Sequence, residues 1–376
     1  MRGCSSLIDL NGFECCSNLE VVDVGDCSDL KDLSALERIS YLRVLRAEST
    51  SIKTVANMNP SIQKLCVDSC EKLESFEGLS VLRSLTELSA RCVPVTTLSG
   101  LEGCLELRIL DLFCCAELRC ISALADNPCL KDLNLYHSDV RDLSALRTCP
   151  SLETVDVFNC GELLSLYGLC GMPSLVNLYA GGTSITHLDG LSSCPLLEQV
   201  DVGGCVDLTS CAGLARSPKV KDFNACGSLL QSLSELSTCE YLESIDVSYC
   251  SRIVSLADLA ALRRLKKVNA EATLITNLDG LNSCTSLELL IVSECPELTS
   301  LTGIEGSKSL KEIRAERSAI TNLDGLRSCP SLEVVRARDC AQLSSASDVC
   351  RAPSLKTLDI RGTPLEGSLS PSVVLC

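Results

Sequence analysis

Residues 197–219 read LEQVDVGGCVDLTSCAGLARSPK, and residues 265–286 read LKKVNAEATLITNLDGLNSCTS. Both open on the skeleton L-x-x-L-x-L/A in aliphatic form. Residues one, four and six of that skeleton face inward, and those between face out. Such alternation reads as a short strand. The same skeleton starts at Leu19, Leu42, Ile62, Leu85, Leu107, Leu130, Leu152, Leu175, Leu197, Val220, Leu242, Leu265, Leu287, Leu310, Leu332 and Leu355. The steps alternate between 23 and 22 residues, except for a step of 20 from Leu42 to Ile62. A fixed period of this length is the mark of a solenoid, in which neighbouring units share one elongated core. The units are too short for two helices each, which disfavours an ankyrin or tetratricopeptide stack.

After the strand comes a small residue where the backbone bends inward. It is Cys in odd repeats and mostly Thr or Ser in even ones, as at Thr183, Thr273, Ser318 and Thr363. Its hydroxyl or thiol is suited to hydrogen-bond buried backbone groups, the thiol weakly. An apolar residue follows (Ile185, Ile275, Ile320), then L-D-G-L at 188–191, 278–281 and 323–326, where Asp-Gly signals a turn. With these features the units resemble leucine-rich repeats of the short class, similar to internalin-like and phosphatase-regulator-like repeats. Cysteine stands in the asparagine position. The cysteine-rich, two-type alternation resembles the leucine-rich-repeat families of trypanosomatid parasites. The resemblance covers nearly the whole chain. It implies an α/β solenoid, a horseshoe or arc with a parallel β-sheet on the concave face and short 3₁₀ or helical turns on the convex face. Members are mainly protein-binding scaffolds.

With 46% apolar residues there is ample material for burial, and with no Trp and only five Phe and six Tyr the expected core is aliphatic, filled by Leu, Val, Ile, Ala and Cys. A net charge of -16 repels nucleic acid and anionic membrane in bulk. No run of about 18 apolar residues exists, so no membrane span is expected. The 27 cysteines fall into series. Cys70, Cys115, Cys160, Cys205, Cys250, Cys295 and Cys340 recur every 45 residues, as do Cys104, Cys149, Cys194, Cys239, Cys284 and Cys329. Two strands of a parallel sheet span about 10 Å, beyond disulfide reach. Both series therefore read as buried free thiols acting as small hydrophobes, which points to a reducing compartment, most simply the cytoplasm.

The organisation expected is a partial N-terminal repeat over 1–18 and a repeat domain of about sixteen units over 19–376. Residues 4–18 match the second half of an odd repeat, Cys4 aligning with Cys27 and Leu10 with Leu33. The opening MRGCSSLIDL already fits a repeat and shows no signal peptide. Either further repeats precede this edge or a partner covers it. The stretch EGSLSPSVVLC is expected to close the other end, and Cys376 as last residue is not a prenylation box. The short step predicts a local shift in curvature.

On the concave face, equivalent outward residues stack into rows. The second residue of each repeat alternates in charge: Glu198, Lys221, Glu243, Lys266, Glu288, Lys311, Glu333 and Lys356. Each is expected roughly 4.8 Å from an opposite charge on either side, a ladder that fixes register. The fifth residues include Asp111, Asn134, Asp156, Asp201, Asn224, Asp246 and Asn269. Carboxylates on every second strand lie about 10 Å apart, too wide for a retaining glycosidase pair, and a flat row does not converge on a metal. Ladder hydrogen bonds between Asp and Asn are the reading. Phe113, Tyr136 and Phe158 share the next outward row, with Tyr179 two residues nearer the strand start of the following repeat and His137 beside Tyr136. Rings on a face that nothing internal requires are candidate contact anchors; the alternative is that adjacent rings cover one another. Arg314, Arg317, Arg336, Arg338 and Arg361 form a second candidate surface for an acidic or phosphorylated partner. Glu312, Glu316, Asp339 and Asp359 interleave with them, so a self-neutralised network is the alternative.

With two histidines, no His-Cys cluster, no G-x-x-x-x-G-K, no nucleophile elbow and no H-E-x-x-H, the chain is read as no enzyme and as carrying no cofactor. The expected function is a protein-interaction scaffold that binds a protein or peptide on its concave face. The alternative is a regulatory or substrate-recognition subunit of an enzyme complex, such as a phosphatase or ubiquitin ligase.

Overall fold

The computed structural model describes residues 1–366; the expected closing segment, 366–376, lies outside the described residues except for Glu366. The chain forms two compact units, Met1–Ser184 with Ser193–Leu196, and Ile185–Ser192 with Leu197–Cys376. The first carries β1 (Val21–Asp23), β2 (Val44–Arg46), β3 (Lys64–Cys66), β4 (Glu87–Ser89), β5 (Ile109–Asp111), β6 (Asp132–Asn134), β7 (Thr154–Asp156) and β8 (Asn177–Tyr179). The second carries β9 (Gln199–Asp201), β10 (Asp222–Asn224), β11 (Ser244–Asp246), β12 (Lys267–Asn269), β13 (Leu289–Ile291), β14 (Glu312–Arg314), β15 (Val334–Arg336) and β16 (Thr357–Asp359).

Within each unit every strand pairs in parallel with the next, equivalent residue against equivalent residue, as in Asp132↔Thr154, Leu133↔Val155 and Asn134↔Asp156. The middle residue of each strand is buried, as is the sixth residue of the repeat, and the first residue is buried in every repeat except those starting at Leu19 and Leu355, where it is half-buried. A one-residue slip would turn all three to solvent, so the aliphatic pattern sets the register. At the short step Val44 still pairs with Lys64, so the missing residues are lost behind the sheet, where no 3₁₀ turn separates β2 from β3. Among the described residues the core is built of aliphatic side chains with Cys, Met58 and Met172, and its aromatic members are Phe76 and Phe223. Phe223 sits between Val200 and Ile245 on the neighbouring strands.

Pairing continues past the three-residue strands. Leu112 N–H donates to Asn134 O at 2.9 Å and Cys114 N–H to Tyr136 O at 2.8 Å. The eighth residue of each of the sixteen repeats is left-handed, with φ from 54° at Cys92 to 74° at Gly204. Gly182, Gly204, Gly227 and Gly362 are the type best suited to it, and Asp26, Asn159 and Asp339 tolerate it; the others include Tyr249, Ala272 and Arg317. A side chain in that conformation costs roughly 1–2 kcal/mol. The ladder imposes it, because the same residue's N–H reaches the next repeat, as Tyr249 N–H does to Glu271 O at 2.7 Å. The fifth residue helps from the other side: the Asp111, Asn134 and Asp156 side chains accept from the N–H two residues on at 3.1, 2.9 and 2.9 Å. The row therefore caps turns, a role beyond the expected ladder. Ladder bonds are present as well, Asn224 to Asp201 at 3.1 Å and Asn269 to Asp246 at 2.8 Å.

The inward turn residues bond as their chemistry suggests. Thr183 and Thr273 hydroxyls donate to the carbonyl three residues back at 2.7 Å. The thiols of Cys70, Cys115, Cys160, Cys250 and Cys340 donate to carbonyls of the preceding repeat at 3.0–3.2 Å. Thiol and hydroxyl meet across repeats, as at Ser138···Cys160 and Ser228···Cys250, both 3.3 Å. Behind the sheet, 3₁₀ turns such as Ser144–Thr148 and Ala257–Ala261 bury one leucine each, Leu146 and Leu259. There the second series repeats the device: Cys104, Cys149 and Cys284 donate to the carbonyls of Leu79, Leu124 and Leu259 at 3.3, 3.1 and 3.2 Å. At the N-terminal edge Gly3 N–H bonds Gly25 O at 2.8 Å, and Leu10 is buried.

Candidate functional site on the strand face

Because outward residues stack at strand spacing, three rings in one row must meet. Phe113 and Tyr136 have centroids 4.7 Å apart and planes 11° from parallel; Tyr136 and Phe158 are 5.8 Å apart at 8°. All three are half-buried. Their backbone N–H groups are the ones held by Asp111, Asn134 and Asp156, so the turn caps also aim the rings. Asn159 Nδ2 donates to the Tyr136 hydroxyl at 3.2 Å. Stacked pairs of this kind contribute about 0.5–1.5 kcal/mol beyond area burial. His137 is exposed in the left-handed turn, its ring 6.3 Å from Tyr136 and tilted by 36°.

Tyr179 ends the next strand, β8. It closes one end of a depression of about 240 Å³ on the strand face, whose lining includes Ile109, Asp111, Asp132, Thr154 and Asp156. Sequence reasoning singled out the rings but not Asp132 or Ile109. The signal was available, since the third residue of each repeat is also outward. Asp111 is engaged by Arg91, whose Nη2 lies 2.5 Å away.

The expected arginine surface lies in the second unit and is largely self-neutralised. Arg314 and Arg336 share Glu312 at 2.7 and 3.1 Å, Arg317 meets Glu294 at 2.9 Å, and Arg361 meets Asp359 at 2.6 Å. Burial disfavours ionised Glu312, but hydrogen bonds from Arg314 and Arg336 outweigh it and hold the carboxyl below its ordinary range. Arg338 is exposed and makes no ion pair among the described residues. The depression here, about 340 Å³, mixes Arg314, Arg317 and Arg338 with Glu271, Glu294 and Glu316, so it offers a partner no single sign of charge.

The charged row of second residues differs from a continuous ladder. Lys221, Lys266, Lys311 and Lys356 each bond the glutamate of the preceding repeat, at 2.6, 2.6, 2.7 and 2.8 Å. An ammonium that commits to one carboxylate leaves the other neighbour beyond ion-pair distance, so the row resolves into pairs. These pairs are solvent-exposed and each is worth about 0–1 kcal/mol. Among the described residues no group of three His, Cys, Asp or Glu side chains is placed to hold a metal ion, and no helix is long and apolar enough to cross a membrane.

No protein-family profile matches the chain, and no curated protein matches it in sequence. Solved structures do match in shape. An internalin (inlF) of Listeria monocytogenes aligns over 88% of this chain and 87% of its own, at 17% identity and a TM-score of 0.61. InlJ of the same organism, whose functional domain includes a cysteine ladder, aligns over 92% and 68%, at 20% identity and 0.66. The plant peptide hormone receptor RGFR1, solved in complex with RGF2, aligns over 94% and 57%, at 17% identity and 0.65. The fold is a leucine-rich-repeat solenoid. It is a scaffold architecture generally used to bind proteins and other ligands, and the internalin side of the sequence resemblance holds at the level of fold.

Proposed function

We propose that the chain is a non-catalytic interaction scaffold that binds a protein or peptide on the strand face of its first unit, over Phe113, Tyr136, Phe158 and Tyr179. The observation that carries this reading is the ring stack. Five phenylalanines and six tyrosines serve the whole chain, and three of these rings form one outward-facing, half-buried stack. Interface energy concentrates in such anchors. The rows are preformed by the ladder, so binding orders little. The shape match to a receptor solved with RGF2 supports a peptide as one form of ligand. His137 flanks the same surface. The arginine network at Arg314, Arg336, Arg338 and Arg361 is a secondary contact surface in this reading, because most of its charge is already compensated.

The double substitution Tyr136→Ala and Phe158→Ala is expected to abolish capture of the natural partner from an extract of the source organism, while circular dichroism keeps the parent's folded signal and the urea midpoint falls only by the loss of the two stacked contacts. Undiminished capture by a folded double variant would refute the assignment. The reading also sets the protein in a reducing compartment, the cytoplasm in the simplest case, because Cys70, Cys115, Cys160, Cys250 and Cys340 are free, buried thiols. Protein taken from its source with those thiols oxidised would contradict that placement.

A further inference from the structure

We propose that the depression beside the ring stack receives a lysine or arginine side chain from an extended partner segment, with Asp132 as its ionic anchor. The inference rests on the reading of the ring stack as the contact surface and names the chemistry of what it contacts. The lining contains three carboxylates, Asp111, Asp132 and Asp156, and no cationic side chain. Asp111 already holds Arg91. Asp156 caps the turn that carries Phe158. Asp132 differs from both: it is half-buried on β6, between Ile109 and Thr154, and its carboxylate has neither an ion pair nor a side-chain hydrogen bond among the described residues.

A carboxylate partly withdrawn from water and left without a counter-charge is completed by an incoming cation and repelled by an anion. Tyr179 lines the same depression, and an aromatic side chain in the lining suits a planar guanidinium better than an ammonium. The protein as a whole, at -16, draws basic segments toward it.

The geometry also sets a spacing. Asp132 is the third residue of its repeat and Tyr136 the seventh. Four residues of strand and turn separate them by about 10–13 Å, the reach of three to four residues of an extended peptide. The partner segment therefore carries its basic residue three to four positions from an apolar or aromatic one.

The test uses the full chain and a fluorescent synthetic peptide in which an arginine and a leucine stand four positions apart in a glycine-serine background. Two matched peptides replace the arginine with glutamine or glutamate. The arginine peptide is expected to bind at least about tenfold more tightly than the glutamine peptide and to weaken with added salt; the glutamate peptide is expected not to bind. Asp132→Asn, an outward substitution of nearly equal shape, is expected to erase the preference for arginine over glutamine and leave glutamine-peptide binding unchanged. Equal binding of arginine and glutamate peptides, a preference that survives Asp132→Asn, or no arginine-peptide binding at millimolar concentration would each overturn the inference. The Tyr136→Ala and Phe158→Ala variant separates the two ideas. If it loses all peptides while Asp132→Asn changes nothing, the contact surface stands and the basic partner does not.

Discussion

Titration from pH 9 towards pH 11 is expected to unfold the protein steeply. Burial pushes the thiols of Cys104, Cys115, Cys239, Cys284 and Cys340 up to about 11 from an ordinary 9.0. Each is enclosed in the core, and those of Cys115 and Cys340 donate to a carbonyl at 3.1 and 3.0 Å. Between the two values the unfolded chain gives up these protons while the folded chain keeps them. The stabilisation is therefore complete below about pH 9 and is lost as pH rises through the folded-state values. One thiol contributes about 1.4 kcal/mol per pH unit in that window, and five contribute about 7. That is comparable with the whole stability of an ordinary domain, about 5–15 kcal/mol. Circular dichroism against pH reads the transition, and a variant carrying Cys104→Ala and Cys284→Ala is expected to shift it upward and make it shallower. A fold that persists to pH 11, or a variant with the parent's profile, would show that these thiols do not control the alkaline limit.

Gly213→Ala is expected to cost about 3 kcal/mol, because there is no room for one added carbon. A Cβ at Gly213 would lie 1.7 Å from the carbonyl oxygen of Leu188 and 2.3 Å from its carbon. Both are backbone atoms, so no side chain can rotate away. Gly213 sits in the 3₁₀ turn Ala212–Arg216, which packs on the turn Asp189–Leu191 of the preceding repeat. Pushing these turns apart opens the core around Leu191 and Leu214. The control is Gly161→Ala, whose added carbon meets nothing within 4 Å and is expected to cost less than about 0.5 kcal/mol. Urea midpoints measure both; equal midpoints would mean the turn has slack that the packing denies.

Much of this was legible beforehand. Leucine spacing alone defines strand register, since Leu133 and Val155, 22 residues apart, end up paired. The outward row of Phe113, Tyr136 and Phe158 follows from the same count, and so does the burial of both thiol series. Three features were not legible, for distinct reasons. The left-handed eighth residue is imposed by its N–H bond to the next repeat, so Cys, Tyr, Ala and Arg occur there beside Gly, Asp and Asn, and composition marks the position only in part. The sorting of the charged row into pairs depends on which neighbour a flexible lysine reaches. The lack of a partner for Asp132 depends on where Arg91 and Lys131 go, to Asp111 and Glu153 respectively, which spacing cannot say.

The contact of thiol with hydroxyl across neighbouring repeats bears on how such a chain gains or loses length. Ser138 meets Cys160, Ser228 meets Cys250, and Lys266 meets Glu243, so each unit is built to receive a neighbour of the other kind. A duplication or deletion of 45 residues restores every one of these meetings at the junction. One of 22 or 23 residues sets thiol against thiol and carboxylate against carboxylate. Copy number in this architecture is thus expected to change by twos.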